Sequence, residues 1–169
     1  MWRSLDLCQI VRPLRALDSW WHRLQMNSKL IFEYVFSRDG DDLGWLKAEV
    51  HTPRFSGRNG AWVQWQDLAD FTASLSRFPI ESGSPAVGEW GFGEQGQYTE
   101  ITQVSIAPKG STGGLVADVL LADWYEPTQR CSTRFETDYP SLARFQQEIE
   151  HMVRDRLGSA ALHGFADSR

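Results

Sequence analysis

A chain of 169 residues with 41% hydrophobic and 23% charged side chains has the size and balance of one domain that buries its own core. Its longest apolar runs are broken by Glu33, Asp118 or Asp123 and fall well short of the roughly 20 residues that a membrane-spanning helix needs. The formal charge is −5, which argues against nonspecific nucleic-acid binding, because that depends on Lys and Arg neutralising phosphates.

Residues 1–25 carry four Arg against Asp6 and Asp18, leaving −7 on residues 26–169. Leu14, Leu17, Trp20, Trp21 and Leu24 allow a short amphipathic helix over 13–25. Interspersed Arg12, Arg15, Asp18 and His22 do not form the continuous apolar core of a secretory signal. Met26-Asn27-Ser28 is a second plausible start, so 1–25 reads as a weakly ordered extension, 26–158 as a single domain and 159–169 as a frayed tail. Cys8 and Cys131 form neither a CxxC pair nor a disulfide framework, which fits a reducing cytoplasm.

Within the domain, Leu30–Phe36 and Leu43–His51 flank the turn signal Arg38-Asp39-Gly40-Asp41-Asp42 and predict a β-hairpin. Pro53–Gly60 reads as loop and Ala61–Gln66 as a third strand. Asp67 is the expected N-cap of a helix whose Leu68, Phe71, Leu75 and Phe78 share one stripe until Pro79 ends it. Four further strands are expected over 87–93, 98–108, 115–124 and 129–137, with connections short enough for an antiparallel meander. In the last, Cys131, Thr133, Phe135 and Thr137 alternate with polar residues, as in a strand with one face in water. A second helix begins at Pro140 or Ser141 and carries Leu142, Phe145, Ile149, Met152 or Val153, and Leu157 on one stripe until Gly158. The fold class is therefore α+β: a twisted antiparallel sheet of six or seven strands covered by two amphipathic helices.

Composition and spacing name no reaction. His22, His51, His151 and His163 are scattered without metal-ligand spacing, and Cys131 has no nucleophile signature. The glycine-dense Gly88–Gly96 lacks the GK[ST] ending and following helix of a phosphate loop, and Glu89 and Glu94 would repel a phosphate; it reads as a strand and tight turn. Glu33, Glu49, Glu89, Glu100, Asp118, Asp123 and Glu126 lie on or beside strands, where two of them could converge as the acid and base of a hydrolase. Asp118, between Ala117 and Val119, must face outward or be specifically paired. No metal or cofactor is expected.

Asp67-Leu68-Ala69-Asp70-Phe71 and Ser141-Leu142-Ala143-Arg144-Phe145 are near-repeats, each opening a helix after a strand-like run rich in aromatics. With the Gly/Trp/Phe strand and the meander ending at Asp123-Trp124-Tyr125-Glu126-Pro127, this order of elements resembles the WapI-type immunity proteins and related small bacterial families, over roughly Lys29 to Arg156. The resemblance implies a noncatalytic cytoplasmic protein that neutralises a cognate toxin domain, and it transfers no functional residues. Eight Trp and nine Phe exceed what a small core requires, and aromatic anchors dominate protein interfaces while charge speeds encounter. The expected partner surface is thus drawn from Trp45, Trp62, Trp90, Trp124 and Tyr125, ringed by Glu89, Glu94, Asp123 and Glu126, and facing a basic protein. A regulatory or structural subunit, and an enzyme or small-ligand binder using the strand carboxylates, are the alternatives.

Overall fold

Alternation of apolar and polar residues sets the local structure of most strands, and the strands pair as two antiparallel sheets. The computed structural model describes residues 28–110 and 113–165, so the leading segment 1–25 lies outside the described residues. The chain order is β1 (Ser28–Phe36), β2 (Leu43–His51), β3 (Ser56–Gln64), α1 (Trp65–Leu75), β4 (Ala86–Glu94), β5 (Gln97–Lys109), β6 (Gly114–Ala122), β7 (Arg130–Thr137), α2 (Tyr139–Asp155) and β8 (Leu157–Gly164). The first sheet has the order β3-β2-β1-β8 and the second the order β4-β5-β6-β7.

The α+β class holds, but the single sheet of six or seven strands becomes two sheets of four. Of the expected frayed tail 159–169, residues 166–169 lie outside the described residues, and residues 159–164 instead belong to β8, paired along its length with β1. Its sequence, Leu-Gly-Ser-Ala-Ala-Leu-His-Gly, lacks the β-branched and aromatic residues that usually mark a strand. Its small residues are required by packing: Gly164 lies against the Phe135 ring and the Glu136 carbonyl, with no room for a Cβ.

Leu30, Phe32 and Tyr34 of β1, Leu46, Ala48 and Val50 of β2, and Ala61 and Val63 of β3 face inward, as does the alternate set Leu115, Ala117, Val119 and Leu121 of β6. The helices add Leu68, Phe71 and Leu75 from α1, and Leu142, Phe145, Ile149 and Met152 from α2. At the centre, Phe32 meets Trp90 edge-on at 5.8 Å and Phe145 at 5.5 Å, while Phe71 meets Trp90 perpendicularly at 5.5 Å. Both sheets and both helices therefore converge on one aromatic cluster, a geometry that adds about 0.5–1.5 kcal/mol per ring pair beyond burial.

The sheets are joined at two places. At one corner Glu136 and Phe165 exchange backbone hydrogen bonds of 3.3 and 2.7 Å, and the Thr137 hydroxyl donates to the His163 carbonyl at 2.7 Å. At the other, β3 extends back to Ser56, through residues expected to be loop, and lies across the second sheet. Gly57 sits against Cys131 without space for a Cβ. Asn59 Nδ2 points at the carbonyls of Ile101 (2.9 Å) and Ala122 (3.1 Å) and at Thr102 Oγ1 (2.8 Å). The opposite amide orientation would set Oδ1 against two carbonyl oxygens, so this one is fixed by its surroundings. The free side of β8 is covered where Glu148 Oε2 of α2 accepts from the Ala161 N–H at 2.7 Å, which protects an edge.

Helix boundaries follow local chemistry but differ from expectation at three ends. Helix α1 starts at Trp65, so Asp67 occupies its first turn and complements the helix dipole without capping it. The helix stops at Leu75, and Phe78 is displaced from the core stripe: it is 78% exposed and lies edge-on against Tyr139 at 4.8 Å. Asp138 caps α2, its carboxylate accepting from the Ser141 N–H at 2.8 Å. That helix ends where Arg156 turns left-handed at φ 56°, before the expected Gly158.

Replacing Asn59 by Ala should destabilise the fold by about 1–3 kcal/mol, the cost of a lost buried hydrogen-bonding group. Asn59→Asp should lose more at neutral pH, because a carboxylate would face two carbonyl oxygens. Urea unfolding reads both as lower midpoints at constant slope; an unchanged midpoint would show that this amide does not hold β3 in place.

Candidate functional site

Residues of the first sheet that alternate with the core set form its outer face. Cross-strand register places Trp62 opposite Trp45, Trp45 opposite Val35, and Val35 opposite Leu157. One apolar row thus crosses all four strands, with Trp62 44%, Val35 54% and Leu157 62% exposed. Rows of this kind form because directly opposed side chains in an antiparallel pair stand about 5 Å apart. Trp45 and Trp62 meet edge-on at 5.2 Å, and the Trp45 ring covers Gly60, where a Cβ would collide with it.

The row continues around β3 onto the second sheet. Trp124, just after β6, lies 6.2 Å from Trp45, and Phe92 of β4 lies 4.9 Å from Trp124. The loop carrying Trp124 is internally tied. Asp123 Oδ1 accepts from the backbone N–H groups of Tyr125 (2.9 Å) and Glu126 (2.8 Å), the Asp123 N–H donates to Gln129 at 2.9 Å, and the Arg130 guanidinium donates to the Pro127 carbonyl. This Asx-type turn leaves the Tyr125 ring 87% exposed beside an anchored tryptophan.

The structure thereby brings together Trp45, Trp62, Trp124 and Tyr125, with Asp123 and Glu126 in the same loop as Trp124. It does not bring in the rest of the expected surface. Trp90 is buried among Phe32, Phe71 and Gly88 and belongs to the core. Glu89 alternates with buried Gly88 and Trp90 and faces out from the second sheet, where Gln103 donates to it at 3.4 Å. Glu94 ends β4 at the hairpin turn, whose Gln95 and Gly96 both have positive φ, as a two-residue turn requires. The glycine-dense segment is thus a strand and tight turn, as its sequence indicates. Val35, Leu157 and Phe92 were not anticipated: Val35 and Phe92 sat in strand patterns without a known facing, and Leu157 was assigned to a helix.

Charges around the row are mixed and do not form an acidic ring. Lys47 lies 3.8 Å from Glu33, Glu49 Oε1 is 2.7 Å from His51 Nε2, and Arg58 stands opposite Glu49 in the register. Glu33, Lys47, Glu49 and Arg58 edge a shallow depression of about 210 Å³ beside the row. A second depression, about 240 Å³, is lined by Arg77, Pro79, Ile80, Glu81 and Ser84. Asp118 resolves as specifically paired: Arg134 on β7 donates to both its oxygens at 2.6 and 2.9 Å. Among the described residues no three His, Cys, Asp or Glu side chains gather as a metal site.

Two strand carboxylates do approach each other. A bulge between Trp90 and Gly91 sets Glu100 opposite Gly91, on the same face as Glu89 and away from Phe92. Burial first, and then the Glu89 charge, push the Glu100 carboxyl above its ordinary range, while Arg130 pulls it down. The neighbouring Tyr98 phenol is raised by burial and by Glu89, Glu100 and Asp67.

Because folded Glu100 holds its proton more tightly than the unfolded chain does, its ionised form opposes folding at neutral pH. Glu100→Gln should therefore raise the urea midpoint at pH 7, and the gain should vanish as pH falls below the ordinary glutamate value of 4.5. A gain equal at pH 7 and pH 3.5 would refute this electrostatic account. Against known protein families, curated proteins and solved structures, the chain shows no match.

Proposed function

We propose that this chain is a noncatalytic protein-binding module whose partner docks on the aromatic end formed by Trp62, Trp124 and Tyr125. The observation that carries this reading is the state of Tyr125, fully displayed on a loop that is nevertheless fixed by the Asp123 turn and by Trp124 packing on Trp45 and Phe92. Rigid exposed aromatics bind with little loss of side-chain freedom and are frequent hot spots. Asp123 and Glu126 give this end a negative edge, which favours a basic partner through steering.

The narrower reading is an immunity protein that neutralises a basic toxin domain in the cytoplasm of the producing cell. Its support is the order of elements and the acidic, aromatic loop. A hydrolytic reading would rest on Glu89 and Glu100, which share the outer side of the β4–β5 hairpin with Gln103. No helix among the described residues is long and apolar enough to cross a membrane.

The test uses the tagged full chain as bait in lysate of its own host, with bound proteins quantified by mass spectrometry. A stoichiometric partner carrying a toxin domain should be recovered at least tenfold less by Tyr125→Ala combined with Glu126→Lys, both exposed positions whose change leaves the fold intact. Identical recovery by the wild type and the double variant would overturn the assignment.

A further inference from the structure

Beyond the aromatic end, the outer face of the first sheet has a pattern that fits itself. We propose that this face packs on the same face of a second copy of the chain, in a two-fold dimer whose axis runs parallel to the strands, between β1 and β2.

Such an axis exchanges β1 with the β2 of the other copy, and β8 with its β3. Register then dictates what meets. In the apolar row, Val35 faces Trp45 of the second copy and Leu157 faces its Trp62, so the smaller side chains of one half of the row oppose the larger ones of the other half. In the next row, Ser159 faces Gly60, over which the Trp45 ring lies, and Glu33 faces Lys47. Each of those contacts occurs twice, as an isologous interface requires. Within one copy Glu33 and Lys47 are only loosely paired, at 3.8 Å with both side chains largely exposed, so each remains able to take a partner across the interface.

Charge separates this occupant from a basic or an acidic protein. The outward residues of the four strands carry Lys29, Lys47 and Arg58 against Glu33 and Glu49, nearly balanced in a chain whose formal charge is −5. A balanced face has no preference for a strongly charged partner, and it repels its own copy less than any acidic part of the surface would. Size sets the strength. Four strands span about 19 Å and three outward rows about 20 Å, giving roughly 400 Å² of face per copy, about 800 Å² in total, which is below the roughly 1,000 Å² of a stable interface. The dimer is accordingly weak and transient.

This inference shares Trp62 with the protein-binding reading, but it is tested at Val35, Glu33 and Lys47, whereas that reading is tested at Tyr125 and Glu126, so either can fail alone. Sedimentation equilibrium of the full chain across a hundredfold range of concentration is the experiment. A monomer–dimer equilibrium is expected. Val35→Asp, at an exposed position checked for folding by circular dichroism, should weaken it at least tenfold. Glu33→Lys and Lys47→Glu should each weaken it severalfold, and the two together should restore it. A monomer at every concentration overturns the proposal and gives the face to a different occupant. A dimer indifferent to Val35→Asp, or charge reversals whose combination fails to restore association, overturns it equally, because the contact would then lie elsewhere.

Discussion

The seating of β3 across the second sheet is the constraint on which the rest of the molecule depends. In this two-sheet core, β3 is the edge of its own sheet and also lies across the other. That strand must present small or hydrogen-bonding groups where backbones cross closely. Gly57 and Asn59 meet both needs, the first by lacking a Cβ beside Cys131 and the second by donating to carbonyls of β5 and β6. The Asn59 amide sits where a purely apolar contact would leave sheet-end carbonyls without a donor, a penalty larger than the net value of an ordinary hydrogen bond. With β3 fixed, the Trp90–Phe32–Phe71 cluster has defined walls, and α1, which follows β3 directly, is delivered to the inner side of β4.

The same seating explains why so many aromatics lie outside the core. Around β3 the outer face of one sheet and the loop end of the other come together, and Trp45, Trp62, Trp124 and Phe92 close that seam over Gly60. The seam stabilises the crossing from outside, while its outermost rings remain in solvent. A single group of residues therefore serves architecture at its inner margin, through Phe92 and Trp124, and leaves Trp62 and Tyr125 exposed at its outer margin. Electrostatics divides the surface further. Negative charge gathers on the 123–126 loop and at Glu89 and Glu100, whereas the outward charges of the first sheet are nearly balanced.

Much of the chain was legible as local pattern. Apolar runs and alternation between turn signals located seven strands, the 3.6-residue stripe located both helices, and the Gly88–Gly96 segment read correctly as strand and turn because it lacked the helix that a phosphate loop needs. The polar alternation of Arg130–Thr137 gave its wet face, and Asp118 inside an apolar strand, expected to face outward or be paired, does both, in solvent and bound by Arg134. The errors share a cause. Trp90 and Trp62 occupy equivalent places in Trp-bearing strands, yet one is core and the other surface, because facing depends on which side of each strand the opposite sheet covers. Leu157–Gly164 carried no strand signature, since its residues are small to fit Phe135 and Glu136, and those neighbours come from another part of the chain.

By itself, then, the sequence determined what short-range sterics and periodicity encode: an α+β domain, its turns, its helical stripes, the absence of a metal or nucleotide motif, and an aromatic surplus with an acidic bias. Tertiary structure alone decided that the strands divide into two sheets, that β8 returns to pair with β1, that Trp90 is internal, and that Trp62, Trp45, Val35 and Leu157 line up as one row. Such outcomes depend on pairings between residues far apart in the chain, where a shift of one position turns every side chain to the other face, and no local pattern fixes that register.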